Sequence, residues 1–323
     1  MTDLQGQTLA GPPAPPRRWT LHALNNGLIF RLTLAGVRHL PRPVSYAMAR
    51  VASWLAWRLM PATNDAIADN LHAVFPDEDL RRRRTRALDV YRSYTLDAVD
   101  FIRALRADPE ELRHMFSLAP GDRQVFEGLT AAGRGAIIVT GHFGNWECGA
   151  ILMRRVLDLP LTVVAMREAS PAVNRMRLQI RNQLGVPTLE VRQSIDTALQ
   201  IRRALGENRA VALLMDRHVG RDRVAVTLLG RTAWFLRTPA LLAYLTGAPL
   251  VPCFIERTGP ARFRAVLGQP VELSRDEPRD VALARAVQHV ADALEARIRA
   301  RPDCWYHFYR YWDAQRDEYS GLD

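Results

Sequence analysis

The chain has 323 residues, 48% of them hydrophobic and 24% charged, enough to bury a full core and too apolar for an intrinsically disordered protein. Its formal net charge of +10 is carried wholly by arginine, since no lysine occurs, and favours anionic partners such as phospholipid headgroups, coenzyme phosphates or an acidic carrier protein. Three widely spaced cysteines, Cys148, Cys253 and Cys304, argue against a disulfide framework or a zinc site and read as reduced thiols.

Residues 1–18 are rich in Pro, Gly and small polar residues and read as a disordered leader without the order of a signal peptide. Residues 19–60 are apolar but broken by Asn25-Asn26, Arg31, Arg38, Pro41-Arg-Pro43, Arg50 and Arg58. No window reaches the ~18 uncharged residues of a spanning helix. The expectation is two amphipathic helices on a bilayer surface, with Trp19, Trp54 and Trp57 at headgroup level and arginines snorkelling. Packing of this pair on the core of the domain is the alternative. Residues 64–106 read as two helices around a turn at Pro76-Asp77. The run Arg81-Arg-Arg-Arg84 is surrounded by Asp77, Glu78, Asp79 and Asp89 and has no interleaved aromatics, so it reads as a solvated helix face rather than a nucleic-acid contact.

After a helix near 121–132, Ala136-Ile-Ile-Val139 runs into Thr140-Gly-His-Phe-Gly-Asn-Trp-Glu147: a β-branched strand, a Gly-flanked turn and a helix start. His142 then sits on a strand-end loop, where α/β proteins keep their chemistry. On one continuous helix His142 and Glu147 would be rotated by about 140°, so they meet only if the chain turns between them. With Gly144 or Asn145 capping the helix, Glu147 falls in its first turn and can reach back to the imidazole, fixing the tautomer of a general base. Gly141 and Gly144 would let a substrate approach the backbone. An ordinary loop histidine followed by an ordinary first-turn glutamate fits the bare spacing as well. Cys148 allows a Cys/His nucleophile pair, against the commoner use of cysteine as buried filler.

Further along, a strand at 161–165 delivers Arg167, and a helix at 171–184 carries Asn174, Arg175, Arg177 and Arg181. A short strand and a helix at 194–205 precede Ala210-Val-Ala-Leu-Leu-Met215, an apolar run suited to a central strand and ending in Asp216-Arg217-His218. Strands at 250–255 and 263–267 and an amphipathic helix at 278–301 complete the set. There is no internal repeat, no G-x-G-x-x-G, no P-loop and no cluster with metal-ligand spacing, so neither metal nor redox cofactor is expected.

The block His142-Phe-Gly-Asn-Trp-Glu147 after a strand resembles the H-x4-D/E block of the glycerolipid acyltransferase superfamily, in particular the lipid A biosynthesis (lauroyl/myristoyl) acyltransferases and the related phosphatidylinositol mannoside acyltransferases. Asn70-Leu71 with Phe75-Pro76, the blocks at 213–220 and 238–252, and the closing Trp305, Arg310 and Trp312 are similar to the same branch. Tyr309 stands where a His is usual and Cys304 where a Gln is usual. The resemblance spans residues 64–312. It implies an α/β fold with a mixed, mostly parallel sheet flanked by helices, residues 61–323 forming the acyltransferase domain. It also implies that His142 is the base, that Glu147 orients it, and that Arg167, Asn174, Arg181 and Arg310 serve substrate or oxyanion, with Asp216 as a second acid partner. The donor would be acyl carrier protein or acyl-CoA, with no other cofactor. The acceptor would be an anionic glycolipid, either a lipid A precursor of lipopolysaccharide synthesis or a mannosylated inositol lipid. The place of action would be the cytoplasmic face of the inner membrane, peripherally bound, with no nucleic-acid partner. A thioesterase using the same His on water, and a non-catalytic lipid- or acyl-carrier-binding protein, are the rival expectations.

Overall fold

The computed structural model describes residues 36–37, 39–167, 170–191 and 195–317. The leader expected at 1–18 and the helix expected to start near Trp19 lie outside them. Three helices open the described chain: α1 (Arg42–Leu59), α2 (Pro61–His72) and α3 (Leu80–Ala104). Asp79 caps α3 by accepting from the Arg82 N–H at 2.7 Å. The arginines that follow pair with acids around them, Arg86 with Glu78 at 2.5 Å and Arg84 with Asp65, as a solvated face should.

Then come α4 (Pro109–Met115), β1 (Phe116–Leu118), α5 (Asp122–Ala131), β2 (Ala136–Thr140), α6 (Trp146–Ile151, continued by a π turn at Leu152–Val156), β3 (Leu161–Ala165), α7 (Pro171–Gln183), β4 (Thr188–Glu190), α8 (Ile195–Gly206) and β5 (Ala210–Leu214). The hairpin β6 (Arg223–Leu228) and β7 (Arg231–Leu236), α9 (Thr238–Thr246), β8 (Leu250–Gly259), β9 (Arg262–Leu267), α10 (Arg279–Ala300) and α11 (Tyr311–Asp317) complete the chain.

Seven strands form one sheet in the order β1-β9-β8-β2-β5-β3-β4, and β6–β7 stand apart as a two-stranded ribbon. All pairings in the large sheet are parallel except β8 with β9. The mixed, mostly parallel sheet between helices is therefore present as expected. β2 is its central strand, apolar throughout because both faces are covered. Ile137 and Val139 join the core built with α8, α9 and α10, while Ala136 and Ile138 point to the core built with α4, α5 and α6. That two-residue alternation is what a strand buried on both faces must show. In α10 the buried positions Val287, Val290, Leu294 and Ile298 recur three and four apart, so one stripe of the helix covers the sheet. Each such side chain contributes about 1.5–3 kcal/mol when removed from water.

One face of α1 packs on α3, with Tyr46 and Ala49 against Val99 and Ile102. The other face is left exposed by the described residues. Val44, Met48, Val51, Leu55 and Leu59 recur along it with Trp54 beside them, all exposed, and Arg50 and Arg58 are exposed too. Among the described residues no helix is long and apolar enough to cross a membrane. Trp57 is only half-buried, and its indole N–H donates to the Arg84 carbonyl at 2.8 Å, tying α1 to the start of α3.

Candidate active site

Sheet order brings the two central residues of the site together. β2 and β5 are neighbours in register, Thr140 opposite Leu214, and Met215 extends the ladder by donating to the Thr140 carbonyl at 2.8 Å. His142 and Asp216 each lie two residues beyond those paired ends, at the carboxyl edge of the sheet where α/β folds place ligands. Asp216 Oδ1 stands 2.7 Å from His142 Nδ1, and its Oδ2 accepts the His142 backbone N–H at 2.8 Å. One carboxylate thus holds both the ring and the main chain of the histidine.

Asp216 is fully buried. Burial alone would raise its carboxyl, but the charge and hydrogen bonds of His142 and His307 outweigh that and hold it well below the usual range. An ionised Asp216 can only accept, so His142 Nδ1 carries the proton and Nε2 keeps its lone pair. The His142 ring is 19% exposed, and among the described residues no group hydrogen-bonds its Nε2. Burial, then the charges of Arg217 and Arg177, push the imidazole below its ordinary value, while Asp216 pulls the other way. The ring is therefore a neutral base at neutral pH.

The loop that carries His142 is braced from both sides. Gly144 has φ +59°, and a Cβ there would run into the Ile255 carbonyl oxygen of β8, so only glycine fits. Its N–H donates to the Cys304 carbonyl at 2.9 Å, and the Tyr306 N–H donates to the His142 carbonyl at 2.8 Å. Asn145 caps α6, its side chain accepting from the Cys148 N–H at 3.2 Å, so the turn between His142 and Glu147 forms as the spacing required. The segment after α10 thus runs beside the loop and brings His307 Nε2 to 3.1 Å from Asp216 Oδ2.

The other residues singled out in the sequence stand away from the imidazole. Glu147 makes no hydrogen bond or ion pair with His142. Its carboxylate is taken by Arg181 at 2.8 Å and Arg177 at 3.0 Å, which sit four apart on one face of α7. Burial would raise Glu147, but Arg181 and then Arg177 bring it below the ordinary value. The side chain that orients His142 is Asp216. Arg181 is buried and committed to Glu147. Asn174 donates to Glu190 at 2.7 Å, joining α7 to β4. Arg310 pairs with Asp69 at 3.1 Å, across from α2. Arg167 is exposed beyond β3 with no contact to the histidine. Gly141 faces Leu294 and Asp216, so the loop glycines make room for the protein's own atoms rather than for substrate. Cys148 is fully buried, and burial raises its thiol well above the ordinary value, which removes it as a nucleophile.

A cavity of about 90 Å³ lies next to the loop that carries His142, lined by Gly144, Tyr94, Phe101, Trp146, Ile180 and Tyr306 together with Arg177 and Glu147. The Trp146 ring stands edge-on to His142 at 5.5 Å. Tyr306 donates to Asp97 at 2.6 Å, and Arg257 joins Asp97 at 3.0 Å to Asp100 at 2.5 Å, so a buried ionic knot fixes the cavity floor. Burial raises Asp97 to about 6 against the pull of Arg257. A second hollow between Arg231, Trp234 and Trp312 shares no lining residue with this one. His142, Asp216 and His307 also present donor atoms within 4.8 Å of one another, a set that suits a metal ion. Those atoms are engaged with each other at hydrogen-bond distances, which makes a carboxylate orienting a histidine base the direct reading of the geometry.

Comparison with known proteins adds to this geometry. Residues 15–314 match the family model described as bacterial lipid A biosynthesis acyltransferase. The phosphatidylinositol mannoside acyltransferase of Mycolicibacterium smegmatis is 29% identical over 188 residues, 57% of this chain and 58% of that protein. The protein of the same name from Mycobacterium tuberculosis is 29% identical over 197 residues, 59% of each chain. The chain thus matches less than two thirds of the length of these curated relatives.

Proposed function

The chain belongs to the bacterial lipid A biosynthesis acyltransferase family, and from that premise we propose that it moves a fatty acyl group from a thioester to a hydroxyl of an anionic glycolipid. The observation that carries the proposal is a buried carboxylate holding one nitrogen of a partly exposed His142, whose ring stands against Trp146 in the wall of an aromatic cavity. His142 Nε2 takes the hydroxyl proton as the oxygen attacks the thioester carbonyl carbon. The C–S bond then breaks, and the imidazolium returns the proton to the departing thiolate, giving an ester and a free thiol. Asp216 stabilises the transient imidazolium. Arg177, in the lining of the cavity, is the cation placed to answer charge on the carbonyl oxygen or on an acceptor phosphate.

A lipid A precursor is the first reading for the acceptor, from the matching family, and acyl carrier protein or acyl-CoA for the donor. A mannosylated inositol lipid is the second, favoured by the two relatives named above. Lipid mass spectrometry of cells with and without the gene tests both. One glycolipid should lose a single acyl increment on deletion and regain it on complementation. Release of free acid with no acceptor consumed would point to a thioesterase, and donor binding without turnover to a carrier.

The site would work on the cytoplasmic face of the inner membrane, reached through the exposed face of α1. Each of its apolar side chains adds about 1.5–3 kcal/mol on leaving water, and Arg50 and Arg58 match anionic headgroups. Co-sedimentation with vesicles containing phosphatidylglycerol should weaken with salt. It should fall by about tenfold or more in a Val51→Asp/Leu55→Asp variant. Both positions are exposed, so thermal melting should not move, and undiminished vesicle binding by this variant would remove α1 from the interface.

A further inference from the structure

We propose that His307 is a positioning residue for the transfer, its Nε2–H pinning one oxygen of Asp216 so that the other stays aimed at His142 Nδ1. The inference rests on the reading of His142 as the base. A carboxylate can turn about its own bond unless both oxygens are held from different directions. Among the described residues, Oδ1 of Asp216 hydrogen-bonds only the His142 ring, at 2.7 Å. Oδ2 is held twice, by the His142 backbone N–H at 2.8 Å and by His307 Nε2 at 3.1 Å. The first donor belongs to the loop after β2 and the second to the segment after α10, so the clamp closes across two parts of the fold.

The direction of the His307 bond follows from its other side. There Nδ1 faces the Tyr309 hydroxyl at 2.8 Å and Arg217 Nη2 at 3.4 Å. A guanidinium can only donate, so Nδ1 is the acceptor and the proton sits on Nε2, pointing at Asp216. The ring cannot easily swing away. Tyr311 lies 4.5 Å and Trp305 5.1 Å from its centre, and the Tyr311 hydroxyl donates to the Asp216 carbonyl at 2.8 Å. His307 is 1% exposed, which rules out contact with substrate. Burial also holds it at about 3, so it stays a neutral donor and does not compete with His142 for the proton.

The test compares His307→Phe, which removes the donor, with His307→Gln, which keeps an amide N–H at similar reach. For His307→Phe, kcat should fall by about 10–100-fold with KM little changed, the value of a buried hydrogen bond to a charged acceptor. The groups bearing on His142 are Asp216, His307, Arg217 and Arg177, with Glu147 behind Arg177 and the Tyr309 and Tyr311 hydroxyls behind His307. Removing the His307 donor leaves more negative charge on Asp216 and so stabilises the imidazolium. The acid limb of kcat/KM should therefore move to higher pH in His307→Phe and return in His307→Gln.

A second measurement reads the tautomer in the parent enzyme. With isotope-labelled histidine, NMR should show the His307 ring protonated at Nε2 and bare at Nδ1 between about pH 5 and 8, assigned by its loss in His307→Gln. The opposite tautomer would overturn the proposal. So would a His307→Phe enzyme with the parental kcat and acid limb, or one whose loss glutamine does not restore. Turnover by His142→Ala would instead sink the underlying reading, whereas an inactive His142→Ala beside a normal His307→Phe would remove only the positioning role.

Discussion

His142→Ala is expected to fold like the parent and to lose acyl transfer by about 10²–10⁴-fold or more, the range that a positioned general base supplies. The ring contributes little to the core, since it is partly exposed and its backbone N–H can still donate to Asp216 Oδ2. Urea unfolding of the variant should therefore show a loss of no more than about 1–3 kcal/mol, the cost of leaving Asp216 Oδ1 without its donor. In the parent, kcat/KM should rise with pH through a value below about 6.5, because the imidazole is held below its ordinary value and must be neutral to act. The variant should lose that limb altogether. Near-parental turnover, or a residual activity that keeps the same acid limb, would show that the proton leaves by another route.

The strand, turn and helix around His142 are legible from residues 136–147 because each signal there is local: a β-branched run, a glycine the backbone demands and an asparagine that caps. The destination of Glu147 is not local. Its spacing places it in the first turn of α6, but its partners come from α7, where Arg177 and Arg181 repeat at four residues and form a cationic pair ready for one carboxylate. That repeat is visible in the sequence and was the available signal.

Asp216 can be read as a strand-end acid. Its contact with His142, however, requires knowing that β2 and β5 are neighbours, and the chain visits β3 and β4 before returning to fill that place. His307 depends on a still longer closure, after α10 has crossed the sheet, and no periodicity marks it. Arg310 shows the same limit from the other side: its block is recognisable, but its ion pair with Asp69 depends on how α2 lies against the closing segment.

The two carboxylates near the site should separate cleanly on mutation. Asp216→Asn is expected to cost about 10⁴-fold in kcat, the size of effect that follows when the orienting acid of a catalytic triad is made an amide and the histidine takes the wrong tautomer. The asparagine oxygen would still serve the His142 and His307 N–H groups, leaving its NH₂ to face Nδ1. The proton would then move to Nε2, where the base is needed bare. Glu147→Gln acts differently. It leaves Arg177 and the buried Arg181 without their anion, at a cost of about 3–5 kcal/mol in stability. Turnover by the folded fraction should fall less than in Asp216→Asn, because the hydrogen bond between His142 and Asp216 is untouched. Urea unfolding and single-turnover rates on both variants decide the matter. If folded Glu147→Gln loses as much in the chemical step as Asp216→Asn, or Asp216→Asn keeps parental rates, then the orienting carboxylate in the working enzyme is Glu147 rather than Asp216.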